Sequence, residues 1–237
     1  MRRAGKVLLA ALLAGFNVGI ARSATPSFNC SKAQAPDERA ICSDDRLAEL
    51  DRAVAEGYRQ AKQKDATDAR DIAKETLAGR QACGADKLCI LDQQVKAIGG
   101  FVDLGATVQV PDWVGAYRLV LFQGHQPTQG LPARVGQCSY AEISSISDRF
   151  GEALKPPAND VDSGAAISFT NGGGQVSYDY VPAIARSKVG DQLLLCLVSI
   201  PQNCPPGDNR GKFYSGTNLR TKDSWILPDS QHMCGGA

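Results

Sequence analysis

The sequence predicts an α+β protein in which a disulfide-stapled helical hairpin module precedes a small antiparallel β barrel or sandwich. The chain has 237 residues, 43% hydrophobic and 22% charged, as in ordinary globular proteins. It also has 8 cysteines. Its character changes near residue 105, because residues 24–104 hold 5 glycines and 26 charged residues, whereas residues 105–237 hold 16 and 21. We therefore expect two domains, at residues 24–104 and 105–237.

The first 23 residues have the pattern of a secretory signal peptide. Residues 1–6 are basic, residues 7–20 are mostly apolar, and Ala21 and Ser23 supply the small side chains of a cleavage site before Ala24. The apolar run is shorter than the roughly 20 residues that a membrane-spanning helix needs. We therefore expect a periplasmic or secreted protein with no membrane anchor after signal cleavage.

The charge of the mature chain argues against nucleic acid as a partner. The whole chain has 26 basic and 25 acidic side chains, and Arg2, Arg3, Lys6 and Arg22 lie in the predicted signal peptide. Cleavage therefore leaves 22 basic against 25 acidic groups, a net charge near −3. Binding to nucleic acid or to an anionic membrane surface would require a basic patch, which the pattern of charges does not predict.

The even number of cysteines in an exported chain predicts four disulfides. Metal sites usually present thiolates as closely spaced pairs, and the sequence has no C-x-x-C motif. Each predicted domain holds four cysteines, so pairing within domains leaves nine possible connectivities. In the first domain, an antiparallel helical hairpin would tie Cys30 and Cys42 to Cys83 and Cys89. The cysteines of the second domain are Cys138, Cys196, Cys204 and Cys234.

Three helices are predicted in the first domain. Ser43 is a good N-cap for the first, which carries one apolar stripe at helical spacing. A second helix covers about residues 68–82, with Gly84 placed to end it. A third covers about residues 87–98 and ends at Gly99-Gly100. The stripe of the first helix consists of Leu47, Leu50, Val54, Tyr58 and Ala61.

Short strands with frequent turns are predicted in the second domain. Residues 117–122 are apolar and rich in strand formers, and residues 192–200 are nearly continuously apolar, as in a central strand. Residues 166–170 and 175–181 flank Asn171-Gly172-Gly173-Gly174, a strong hairpin turn, so that Ile167 and Phe169 would face Val176, Tyr178 and Tyr180. Residues 212–217 and 224–227 form the last two predicted strands.

The sequence does not predict an enzyme, a cofactor or a metal site. The only histidines, His125 and His232, lie in polar segments and outside any recognisable catalytic motif. Residues 207–213 resemble a phosphate-binding loop, but the spacing is one residue short and Phe213 replaces Ser or Thr. Residues 160–164 resemble the start of a calcium loop, but the twelfth position is Asn171 instead of Glu.

Residues 214–225 are the best candidate for a binding surface. Their hydroxyl, amide and cationic groups could form a hydrogen-bonding edge for a sugar or for acidic groups of a partner. The same residues also predict a β-hairpin that turns at residues 220–223 with Trp225 packed inward, and the two interpretations are compatible. The candidate partner-binding residues are Tyr214, Ser215, Arg220 and Lys222.

The first domain carries a set of motifs: SFNCSKA at residues 27–33, ERAIC at 38–42, LAELD at 47–51, Tyr58 and RQACGxDxxC at 80–89. With these motifs, residues 27–101 resemble the LprI-like lysozyme-inhibitor N-terminal family. The resemblance implies a small, cysteine-stapled helical module of the bacterial envelope, some members of which are named for lysozyme inhibition. We therefore expect a binding protein whose partner is a lysozyme or another cell-wall hydrolase. The alternative is a structural or adhesion protein whose β domain binds envelope glycan or protein.

Overall fold

A computed structural model describes residues 24–159 and 161–236, so the predicted signal peptide lies outside the described residues. Within these described residues, a 3-10 turn at Cys30–Lys32 precedes six α-helices. The helices are α1 (Pro36–Cys42), α2 (Asp45–Ala61), α3 (Ala66–Cys83), α4 (Lys87–Asp103), α5 (Val114–Phe122) and α6 (Pro182–Ala185). Helices α2 and α3 both pack against α4.

Three aspartates begin the long helices. Asp44, Asp65 and Asp86 each accept hydrogen bonds from two backbone N–H groups in the first turn of α2, α3 and α4. These carboxylates satisfy amides that have no partner within the helix and also favour the positive end of the helix dipole. The predicted N-cap Ser43 is wrong by one residue, because Ser43 ends the unpredicted helix α1 and Asp44 caps α2. Gly84 ends α3 as predicted, with φ of 59°.

Helix α4 is longer than predicted and runs through Gly99 and Gly100 to Asp103. Each internal glycine costs about 1 kcal/mol of helix stability, but burial of Phe101, which follows Gly100 directly, offsets that cost. A Cβ at Gly100 would lie 3.2 Å from Cδ1 of Ile72, so the glycine allows α3 to approach closely. Packing with α3 therefore outweighs the local stop signal.

Residues 117–122 form part of helix α5, so the predicted strand is wrong. Val114, Arg118 and Phe122 are spaced four residues apart and are all buried, which defines one helical face. A short apolar run fits either a buried strand or a buried helix, and here contacts with α4 decide the outcome. Val114 joins the same apolar cluster as Ile90 and Leu91 of α4.

The second half of the chain forms a six-stranded antiparallel sheet that curls into a half-barrel. The strands are β1 (Cys138–Ser147), β2 (Ala165–Phe169), β3 (Gly174–Ser177), β4 (Gln192–Ser199), β5 (Phe213–Asn218) and β6 (Ser224–Pro228). The strand order is β3-β2-β1-β4-β5-β6. As predicted, β4 is central and pairs with β1 and β5. The α+β fold class is therefore confirmed.

The β2–β3 hairpin turns where the sequence predicts, but β3 is shorter than expected. It ends at Ser177, so Tyr178 and Tyr180 lie outside it, and Ile167 pairs with Gln175. Gln175 faces the inside of the curled sheet and donates to the carbonyls of Tyr214 and Leu227. Trp225 in turn donates to Oε1 of Gln175, so one amide side chain links β3 to β5 and β6.

All eight cysteines form disulfides, and both partners of each pair lie in the same predicted domain. The predicted links from Cys30 and Cys42 to Cys83 and Cys89 are wrong, because the pairs are Cys30–Cys42 and Cys83–Cys89. The sharp corner between α3 and α4 brings the second pair to a Cα separation of 5.6 Å, and the turn before α1 does the same for the first at 5.7 Å. The other pairs are Cys138–Cys196 and Cys204–Cys234.

The disulfides fit a protein that folds in an oxidising compartment, as expected for a secreted or periplasmic chain. Among the helices of the described residues, none combines the length and apolar character that crossing a membrane requires.

Candidate binding site at the β5–β6 hairpin

Two of the four predicted binding residues are buried and cannot contact a partner. Tyr214 is 2% exposed and donates from its hydroxyl to the carbonyl of Pro132, whereas Ser215 is 0% exposed and donates to Oδ2 of Asp92. Strand β5 is buried almost throughout, since it lies between β4 and β6 and packs against α5. The burial of Tyr214 and Ser215 therefore contradicts the prediction that they form part of a binding edge.

The other two, Arg220 and Lys222, are exposed at the turn between β5 and β6. We call residues 219–223 the hairpin tip. The Asn218 side chain accepts from the backbone N–H groups of Arg220 and Thr221, and the Asn218 N–H donates to the carbonyl of Asp223. Lys222 has φ of 62°, a left-handed conformation that is uncommon for a residue with a side chain. The predicted turn, with Trp225 packed inward, is confirmed.

Two bidentate ion pairs hold the hairpin tip against the loop that follows α6. Arg220 donates from Nε and Nη2 to the carboxylate of Asp191 at 2.8 and 2.6 Å. Arg186 donates from Nε and Nη2 to the carboxylate of Asp223 at 2.9 and 2.8 Å. Paired guanidinium and carboxylate groups in this geometry fix orientation as well as charge. Sequence reasoning missed Arg186 and Asp191, because no motif links them to a turn about thirty residues away.

These ion pairs keep the acidic groups of the site charged. Hydrogen bonds from Arg220 hold the pKa of Asp191 well below its usual range, and those from Arg186 lower the pKa of Asp223. A carboxyl group with a depressed pKa holds no proton near neutral pH, so neither can act there as a general acid. The arrangement can bind charged or polar groups.

A cleft of about 390 Å³ opens beside the hairpin tip. The segment before α5 forms one wall, and α6 with the tip forms the other. Its polar lining comes from Asp112, Arg186, Lys222, Asp223 and Ser224. Both signs of charge thus face the cleft, together with a hydroxyl group. Such a lining suits hydrogen bonding to a polar partner better than it suits burial of an apolar one.

Helix α5 contacts the hairpin tip and the base of the hairpin. A Cβ at Gly115 of α5 would lie 2.0 Å from the carbonyl oxygen of Lys222, so only glycine allows this close approach. Three residues away, Arg118 is completely buried and donates to the hydroxyls of Thr217 and Ser224 at the base of the hairpin. Arg118 also pairs with Asp92 of α4. The tip is therefore fixed both to its own sheet and to the helical part of the chain.

The two ligand-loop motifs considered in the sequence form internal contacts outside this site. In the segment that resembles a phosphate-binding loop, Arg210 pairs with Asp208. In the segment that resembles a calcium loop, the Asp162 carboxylate accepts hydrogen bonds from the N–H groups of Gly164 and Tyr180. Residues 24–159 and 161–236 contain no group of three or more side chains placed to hold a metal ion.

No protein family, curated protein or solved structure matches this chain in comparisons of its sequence and fold.

Proposed function

We propose that this chain is an exported bacterial envelope protein that acts by binding, and that it inhibits lysozyme-type muramidases. The observation that carries the proposal is the hairpin tip, where Arg220 and Lys222 are exposed on a turn held by two ion pairs and by contact with Gly115. Muramidases of this type cut glycan between two carboxylates in a cleft. A rigid turn that exposes two cationic side chains is suited to occupying such a cleft.

Rigidity matters because ordering a loop on binding costs free energy. Each immobilised side chain rich in rotamers costs about 0.5–1.5 kcal/mol on association. Here the ion pair with Asp191 orders Arg220 before binding, and no described residue accepts a hydrogen bond from its Nη1. That nitrogen remains able to donate to a carboxylate or a sugar hydroxyl of the partner.

A lysis assay on cell-wall material tests the proposal. The oxidised protein from residue 24 onward is titrated against animal-type and goose-type lysozymes, and we expect inhibition at stoichiometric protein. We compare it with the double variant Arg220→Gln/Lys222→Asn, in which asparagine tolerates the left-handed backbone at position 222. The double variant is expected to lose most of the inhibition.

The matched control is Arg210→Gln/Lys155→Asn. Arg210 is also an exposed arginine with a bidentate aspartate partner, and Lys155 is an exposed lysine outside the hairpin tip. Inhibition that survives equally in both double variants would show that the tip is not the inhibitory element. Absence of inhibition by the native, oxidised protein would reject the muramidase proposal. Pull-down on peptidoglycan would then test the adhesion alternative.

A further inference from the structure

A second cavity lies in the helical part of the chain, away from the elements that form the hairpin tip. Helices α2 and α3 both pack on α4, and the gap between them forms a cavity of about 210 Å³ that is open to solvent. Val54 and Ala55 of α2 line one side, and Ala73 and Leu77 of α3 line the other. Leu77 is 46% exposed, so a small molecule can reach the apolar wall of the cavity from solvent.

Three aromatic side chains line this cavity: Phe28 and Tyr58, which are partly exposed, and Phe101, which is fully buried. The rings of Tyr58 and Phe101 are tilted by 56° with their centres 6.1 Å apart. Aromatic rings attract cations through the negative charge of their faces, and groups of rings recognise quaternary ammonium ligands in this way. The Tyr58 ring already attracts a cation, since Nζ of Lys62 lies 5.8 Å from its centre.

Asp51 and Arg80 form the polar end of the cavity, and a further buried carboxylate, that of Asp37, pairs with Arg80 without lining the cavity. Asp51 lines the cavity, is 4% exposed and accepts from Arg80 at 3.1 Å. Arg80 also donates to Asp37, which is 1% exposed, at 2.8 Å. One guanidinium thus neutralises only one of two buried carboxylates. Ser27 donates to Asp51 from its N–H and hydroxyl, which stabilises the carboxylate without adding positive charge.

We propose that this cavity binds a small organic cation of the quaternary or alkyl ammonium class. The ammonium group would be attracted by the aromatic rings and by the excess charge of the Asp37–Arg80–Asp51 group, which we call the acidic triad. The apolar substituents of the ligand would contact Ala73 and Leu77. A neutral ligand of the same shape gains only the apolar contacts, and an anion is repelled by the acidic triad.

Calorimetric titration of the oxidised protein tests this inference. The probes are choline, benzyltrimethylammonium and the neutral isostere of choline in which carbon replaces the ammonium nitrogen. We expect saturable binding of both cations, with choline bound about tenfold more tightly than its isostere, because only choline gains the cation–π and charge attraction. Equal affinity for choline and its isostere would overturn the assignment of a cation site.

Variants locate the binding. Ala73→Leu fills the cavity, whereas Ala78→Leu adds the same side chain at an exposed position on the same helix outside the cavity lining. We expect Ala73→Leu to abolish choline binding and Ala78→Leu to leave it unchanged. Tyr58→Leu should weaken binding of choline more than that of the isostere. No saturable binding by the native protein, or binding that survives Ala73→Leu, would overturn the proposal, and neither outcome bears on muramidase inhibition.

Discussion

Replacing Arg118 with methionine should destabilise the whole protein, because this residue joins the helices to the hairpin. The guanidinium is fully buried, with Nε 2.7 Å from Oδ1 of Asp92 and Nη1 3.0 Å from the hydroxyl of Thr217. It also donates to Ser224. Methionine has a similar length and fills the space, but it leaves the carboxylate of Asp92 buried without its cation.

The expected loss follows from breaking one side of a buried ion pair, which costs about 3–5 kcal/mol. For a protein of this size each kcal/mol lowers Tm by roughly 2–4 °C, so Tm should fall by about 10 °C. Removing both charges in Asp92→Leu/Arg118→Met should cost less than the single change, about 1–3 kcal/mol, because only neutral hydroxyls then lose partners.

Thermal and urea unfolding of the native protein, both single variants and the double variant measure this coupling. The pH dependence adds an independent signature. Burial already raises the pKa of Asp92 in the native protein, and loss of Arg118 should raise it further. The folded state then binds more protons than the unfolded one, so the Arg118→Met variant should lose stability as pH rises above about 4. A double variant as unstable as the sum of the single variants, or no change with pH, would refute the reasoning.

Three further predictions follow from local contacts. Because Arg220 lowers the pKa of Asp191 in the folded state, the Asp191 carboxylate should stabilise the fold above about pH 4, and this stability should be lost as pH falls through the lower folded pKa. In unfolding measurements, Asp191→Asn should therefore reduce the loss of stability at acid pH. An unchanged loss in this variant would contradict the prediction. Mass spectrometry of the exported protein should find Ala24 at its N-terminus, where the backbone nitrogen lies 3.1 Å from Oδ1 of Asp45; a different N-terminus would reject the cleavage site. Replacing both Cys138 and Cys196 by alanine should remove about 4 kcal/mol of stability, since they are 58 residues apart, and a loss below about 1 kcal/mol in denaturant unfolding would contradict the loop-entropy argument.

Local signals in the sequence were sufficient for much of the helical part and for the hairpins. The stop at Gly84 and the turns at residues 171–174 and 220–223 depend on the conformations of a few neighbouring residues, and the structure confirms them. Residues 117–122 carry no such signal. They belong to the nine-residue helix α5, which forms because Arg118 and its neighbours are buried against α4. Local propensity does not encode that contact.

The candidate site was only half predictable for a related reason. Arg220 and Lys222 lie in a polar turn, and turns are exposed whatever packs behind them. Ser215 lies on a strand whose polar side would face solvent in an open sheet, but here it meets Asp92, 123 residues earlier in the chain. Arg220 and Asp191 lie 29 residues apart, so their pairing is likewise not predictable from local sequence. The pairing of Cys83 with Cys89 was also not predictable from the sequence, because the angle between helices α3 and α4 decides which cysteines meet.

Competition between this protein and a chitin oligosaccharide for the cleft of a muramidase tests the central claim most directly. The oxidised native protein is titrated calorimetrically into lysozyme with and without saturating oligosaccharide. If the hairpin tip occupies the catalytic cleft, binding is one to one and is lost when the oligosaccharide fills the cleft, and the Arg220→Gln/Lys222→Asn variant binds more weakly in its absence. Binding that is unaffected by oligosaccharide, or no binding at all, would contradict the proposal that this protein inhibits muramidases through its hairpin tip.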